Sequence, residues 1–86
     1  MYDYPLSPFW DTQDIIDVMA LYNAVEKAYE EGISKDEFMK CYRQYTKVVD
    51  SKSEQKQIDA AFQKVSHYSI YQVFQKAKDR DWIDMR

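Results

Sequence analysis

Three times in this chain a serine is followed, three residues later, by Glu or Gln at the head of an apolar run. The stretches are Ser34-Lys35-Asp36-Glu37, Ser51-Lys52-Ser53-Glu54 and Ser69-Ile70-Tyr71-Gln72. This is the capping box, in which the serine hydroxyl takes a backbone N–H of the first helical turn and the longer side chain reaches back to the serine N–H. Of eight Ser/Thr in the chain three have this partner, against about one expected by chance. Asp11, with Asp14 three residues on, makes a fourth start of the same kind. Four helix starts in 86 residues leave little room for anything else.

The apolar spacing agrees. After Asp11, Ile15, Val18, Tyr22, Val25 and Tyr29 recur three or four apart, the period of one helical face. Met19, Leu21 and Ala28 widen that face to nearly half the circumference, which predicts the central helix of the fold. Gly32, the one glycine, stands where a helix stop belongs. The second helix has Phe38, Tyr42, Tyr45 and Val49 on its inner face, with Cys41 and Val48 beside it. The third has the narrower face Ile58, Ala61, Phe62 and Val65, and the fourth Ile70, Val73, Phe74 and Ala77. The expectation is an all-α fold, one domain over residues 1–86. Its helices fall at about 12–31, 35–48, 52–66 and 70–80, after an extended arm over 1–10. Pro5 and Pro8 keep the arm out of helix, and Leu6, Phe9 and Trp10 are expected to lie across the bundle as a lid.

The search for chemistry is negative. His67, the single histidine, falls in the turn between helices three and four and reads as an exposed or helix-ending side chain. Cys41 has no internal disulfide partner and no neighbouring histidine, so it reads as an inert thiol. A zinc site needs three or four His or Cys ligands, and the chain holds two such residues. Glu26 with Glu30, and Asp14 with Asp17, stand one turn apart, as Mg²⁺-binding carboxylates do in some helical hydrolases. The facing acidic set such an enzyme needs is missing. One glycine allows no phosphate loop. No catalytic, cofactor or metal residue is expected, and a Mg²⁺-dependent hydrolase is the weakest reading. The N-terminus has no signal-peptide pattern and no apolar run could span a membrane, so the expectation is a cytoplasmic protein.

Surface charge is more informative. Residues 1–37 hold nine acidic and two basic side chains, net −7, whereas residues 38–86 hold six and ten, net +4. These charges read first as solvated outward faces that partly pair across the bundle, and as function they read as a two-signed surface that orients a partner. Arg43 and Lys47, on helix two opposite its apolar face, and Tyr68, Tyr71 and Lys78, near helix four, are the expected interaction surface, because exposed Tyr beside Arg or Lys is typical of interface hot spots. The expected role is a non-catalytic protein-interaction or regulatory module. Nucleic-acid binding is a second reading, since Lys40, Arg43, Lys47, Lys52 and Lys56 accompany aromatics, but the pI near 5.0 speaks against it. Self-association through Ile16 and Trp82, off the main apolar stripes, is a separate expectation.

Taken together, several stretches resemble one family. Tyr4-Pro5-Leu6, Trp10 with Asp14-Ile15-Ile16, Val25-Glu26-Lys27-Ala28-Tyr29-Glu30, Tyr42-Arg43, Ser51-Lys52-Ser53-Glu54-Gln55-Lys56 and Tyr68-Ser69-Ile70-Tyr71 are similar to the YktA-like family of small uncharacterised proteins from Gram-positive bacteria. The resemblance spans about residues 2–78. It implies a compact helical fold and a cytoplasmic protein, and brings no activity, cofactor or catalytic residue. Members commonly carry glycine where His67 stands.

Overall fold

The computed structural model describes residues 4–86; residues 1–3 of the expected arm lie outside the described residues. Helix α1, Thr12–Glu30, begins at Asp11, whose carboxylate accepts the Asp14 N–H at 2.8 Å while the Asp14 carboxylate accepts the Asp11 N–H at 3.3 Å. The helix ends where two successive N–H groups, of Glu31 and Gly32, both donate to the Lys27 carbonyl. Gly32 takes a φ of +98°, a conformation that strains any residue with a Cβ, and a Cβ there would lie 2.7 Å from the Trp82 indole nitrogen. The glycine is thus required twice, for its backbone and for the ring lying over it.

The three serines cap helices at the positions their spacing predicts, but the return bond of the capping box forms at Asp11–Asp14 and not at the serines. Ser34, Ser51 and Ser69 accept the N–H of Glu37, Glu54 and Gln72 at 3.2, 3.4 and 3.3 Å, starting α2 (Lys35–Val48), α3 (Lys52–Ser66) and α4 (Ile70–Ala77). The Glu37 carboxylate goes to Lys27 at 3.1 Å, so that box side chain ties α2 to α1. Asp59 supplies a second cap for α4 from outside. Its carboxylate accepts the Ile70 N–H at 2.8 Å and the Ser69 hydroxyl at 3.2 Å. Helix α4 stops at Ala77, three residues short of the expected end. The N–H groups of Lys78 and Asp79 turn back to Gln75 and Lys76, tightening the last turn, and the chain then runs back toward Ser34.

That return builds an element the sequence does not announce. Ile33–Ser34 (β1) and Trp82–Ile83 (β2) form a two-stranded antiparallel ladder, with Ile33 opposite Ile83 and Ser34 opposite Trp82. The Lys35 N–H donates to Asp81 and the Met85 N–H to Ala28, extending the seam in both directions. Ile33 and Ile83 are both buried beneath it.

Helix α1 is central, as its wide stripe predicts. Val18, Leu21, Tyr22, Ala24, Val25 and Ala28 are all buried, in one contiguous core with Phe38, Tyr45, Val49, Phe62 and Val73. Tyr22 and Phe62 stack at 4.6 Å between ring centres, and Tyr4 closes the stack at 5.4 and 5.9 Å from them. The Tyr22 hydroxyl donates to the Pro5 carbonyl at 2.6 Å, and that of Tyr4 to Glu26 at 2.7 Å. These contacts fix the arm, but they correct the expected lid. Leu6 and Phe9 are 48% and 93% exposed, whereas Trp10, half-buried, packs against the core as expected. The cause is a turn in which the Trp10 N–H bonds the Ser7 carbonyl, leaving Pro8 and Phe9 at the outer positions. The docked part of the arm is Tyr4, Pro5 and Trp10.

His67 ends α3 in the left-handed conformation, φ +68°, its N–H donating to Gln63. This is a glycine position occupied by a side chain, at a strain of about 1–2 kcal/mol. Replacing His67 by glycine is expected to stabilise the fold by about 0.5–1 kcal/mol, because the relieved strain exceeds the added freedom of the unfolded chain. Thermal unfolding should show the midpoint rising by about 3–6 °C.

Candidate functional site

A hollow lies between α2, α3 and α4, with a volume of about 530 Å³. Its position follows from the sequence of each wall. Helix α3 has a narrow apolar face, so its flank toward α4 is polar: Lys52, Gln55, Lys56, Asp59 and Gln63. Helix α4 answers with Tyr71, Phe74 and Lys78, and α2 supplies Tyr42 and Tyr45 at the floor. Polar and aromatic side chains facing one another leave a groove where two apolar faces would have closed.

The aromatic floor is ordered. Tyr42 stacks on Phe74 at 4.4 Å and touches Phe38 and Tyr45 at 5.8 and 5.9 Å. The Lys78 ammonium lies 4.8 Å from the centre of the Phe74 ring, a cation–π contact. Tyr71 is 60% exposed at the rim. Three lysines, Lys52, Lys56 and Lys78, stand around the groove against one carboxylate, Asp59, which is already engaged with the start of α4.

Burial lifts the Tyr42 hydroxyl above the ordinary phenol range, with Asp59 and then Tyr71 adding to the effect. Burial lifts Tyr45 and Tyr22 further, each with a neighbouring tyrosine adding. The floor is therefore uncharged at neutral pH and offers ring faces rather than phenolates. A group whose value rises on folding contributes stability that is complete below its unfolded value, about 10 for tyrosine, and lost as pH climbs past it. Stability is thus expected to fall from about pH 10 upward. Tyr22→Phe should cost about 1 kcal/mol at pH 8, through its lost bond to Pro5, yet show a shallower fall between pH 9 and 11 in urea titrations.

The expected interaction residues divide. Tyr71 and Lys78 line the groove. Arg43 and Lys47 are exposed on α2 and do not line it. Tyr68 stacks on Tyr29 at 4.4 Å and donates to Glu30 at 2.9 Å, and the Tyr29 hydroxyl accepts the Ser69 N–H at 3.3 Å. Tyr68 therefore ties the α3–α4 turn to α1. Gln55, Asp59 and Gln63 were not singled out from sequence. Their signal is a polar flank on α3 spaced four apart, which reads equally well as a solvated helix side.

The remaining candidates serve structure. Glu26 and Glu30 each accept a tyrosine hydroxyl, from Tyr4 and Tyr68. Among the described residues no three His, Cys, Asp or Glu side chains gather as a metal site would require. Cys41 is half-buried, and burial, with Glu37 adding and Lys40 opposing, raises its thiol above the usual range, so the unreactive protonated form dominates. No helix among the described residues is long and apolar enough to cross a membrane.

Known proteins resemble this chain along nearly its whole length. A profile described as an uncharacterised protein family, UPF0223, matches residues 1–84. The UPF0223 protein of Bacillus cytotoxicus is 48% identical over 80 residues, covering 93% of this chain and 90% of that protein. That of Streptococcus agalactiae is 46% identical, over 92% of this chain and 85% of its own length. That of Oceanobacillus iheyensis is 39% identical, over 99% and 97%. The four capped helices and the motifs along them thus belong to a protein of the uncharacterised family UPF0223, whose relatives here come from Gram-positive bacteria.

Proposed function

We propose that this protein is a non-catalytic interaction module whose docking site is the α2–α3–α4 groove. The observation that supports the reading is the pairing of an ordered aromatic floor with a lysine rim. Tyr42 and Phe74 are stacked, Tyr71 is exposed beside them, and Lys52, Lys56 and Lys78 surround them. Ring faces bind bulky apolar side chains and the lysines attract carboxylates, so the partner is an acidic protein segment carrying a large apolar residue. Rigid aromatics with few rotatable bonds make such contact at low entropic cost.

The test is an NMR titration with a synthetic helical peptide bearing Glu on one side and Leu or Phe on the other. Amide shifts are expected at residues 52–60 and 70–78. Lys56→Glu combined with Tyr71→Ser, both at exposed positions, should weaken binding at least tenfold. Shifts confined to another face, or none at about 1 mM peptide, would discard the reading. RNA or DNA oligonucleotides at about 50 mM salt are expected to leave the same amides in place.

A further inference from the structure

The arm and the first turns of α1 leave apolar side chains in water among acids. Phe9 is 93% exposed, Leu6 48% and Ile16 55%. Residues 6–17 also hold three aspartates, Asp11, Asp14 and Asp17, and no basic residue. A phenylalanine this exposed, on a chain whose other three phenylalanines lie in or against the core, is a side chain without a site in its own molecule. Its chemistry is that of the segment the groove is suited to take: bulky, apolar and flanked by carboxylates.

The chain cannot fill its own groove with this edge. Helix α3 stands between them. Lys52, Lys56 and Asp59 face the groove, whereas Glu54, Gln57 and Ile58 face the opposite hollow, whose other wall is Leu6 and Trp10. On one molecule the arm at Leu6 and Trp10 lies across α3 from the groove, so a second copy is needed to join them. The net charges of the two halves of the chain, −7 and +4, have the sign such a contact needs.

We infer that the acidic, apolar edge over residues 6–16 of one copy docks in the α2–α3–α4 groove of another. This rests on the groove being a docking site and names its occupant. The contact joins unlike surfaces, so a pair keeps one groove free on one copy and one edge free on the other, and association proceeds head to tail. The contact is one short edge in one groove, held in part by exposed lysines and aspartates, so it is weak and salt-sensitive.

Sedimentation velocity on the full chain tests this. At about 500 μM protein and low salt, the average mass is expected to exceed the 10.4 kDa monomer and to return toward it at about 0.5 M salt. Phe9→Ser removes the edge and Tyr71→Ser the groove, each leaving a monomer with an unchanged circular dichroism spectrum. Mixing the two restores one contact, intact groove to intact edge, and gives a 1:1 dimer that grows no further. A monomer at every concentration, or association that survives both substitutions, would overturn the inference. If copies stay apart while the acidic peptide still binds the groove, this inference fails and the proposed function stands; if neither binds, both fail.

Discussion

Phe62→Ala is expected to remove about 3–5 kcal/mol of stability, the range for truncating a fully buried aromatic. A domain of this size has roughly 4–13 kcal/mol in all, so the variant should be partly unfolded at 37 °C. The loss has two sources. The cavity opens against Tyr22, stacked on the missing ring, and Tyr4 loses one of the two rings that hold the arm. Urea unfolding gives the magnitude, and limited proteolysis within residues 6–10 gives the second effect. Phe62→Leu, which keeps most of the volume, should cost about 1–2 kcal/mol and leave the arm docked. An alanine variant losing under about 1.5 kcal/mol would mean that the stack is not a centre of the core.

Asp59→Ala is the second large effect, expected at about 2–3 kcal/mol. The carboxylate accepts the first N–H of α4 and the hydroxyl of its capping serine, and hydrogen bonds to a charged acceptor are worth about 1.5–3 kcal/mol. Helix α4 has only eight residues, too few to persist without such support. Amide exchange should therefore accelerate in α4 ahead of the other helices. Asp59→Asn, which still presents an acceptor oxygen, should lose less. Because Asp59 also lines the groove, the alanine variant is expected to weaken peptide binding by loosening α4 rather than by removing a contact.

Helix starts were legible in the sequence because their information is local. A serine hydroxyl and an N–H three residues on meet whatever surrounds them, and Asp11, Ser34, Ser51 and Ser69 all cap where their spacing places them. The buried stripes of α1 and α2 were legible for the same reason, since the 3.6-residue period is a property of the segment alone. The β1–β2 ladder was not. Two-residue strands carry no period, and Ile33 reads as well as a hydrophobic staple as a strand residue. The exposure of Phe9 was missed because its hydrophobicity outweighed the Ser7–Trp10 turn. The candidate site was half legible. Tyr71 and Lys78 stand out as an aromatic and a base on one helix flank, but Asp59 and the glutamines facing them come from another helix, and no pattern within α3 marks which side will meet α4. Tyr68 was placed at the surface because its stacking partner Tyr29 is 39 residues away in sequence.

The ladder between residues 33 and 83 also sets an order of events during synthesis. Each helix carries its own start signal and can begin to form as it leaves the ribosome. Gly32, however, waits for the indole of Trp82, and Ile33 for the side chain of Ile83, which is translated fifty residues later. Closing a loop of that length costs about 3.5 kcal/mol of chain entropy before any contact repays it. Until then Ile33 has no partner strand to cover it, and a seam stays open at the end of α1. That seam closes only once residues 82–85 have emerged.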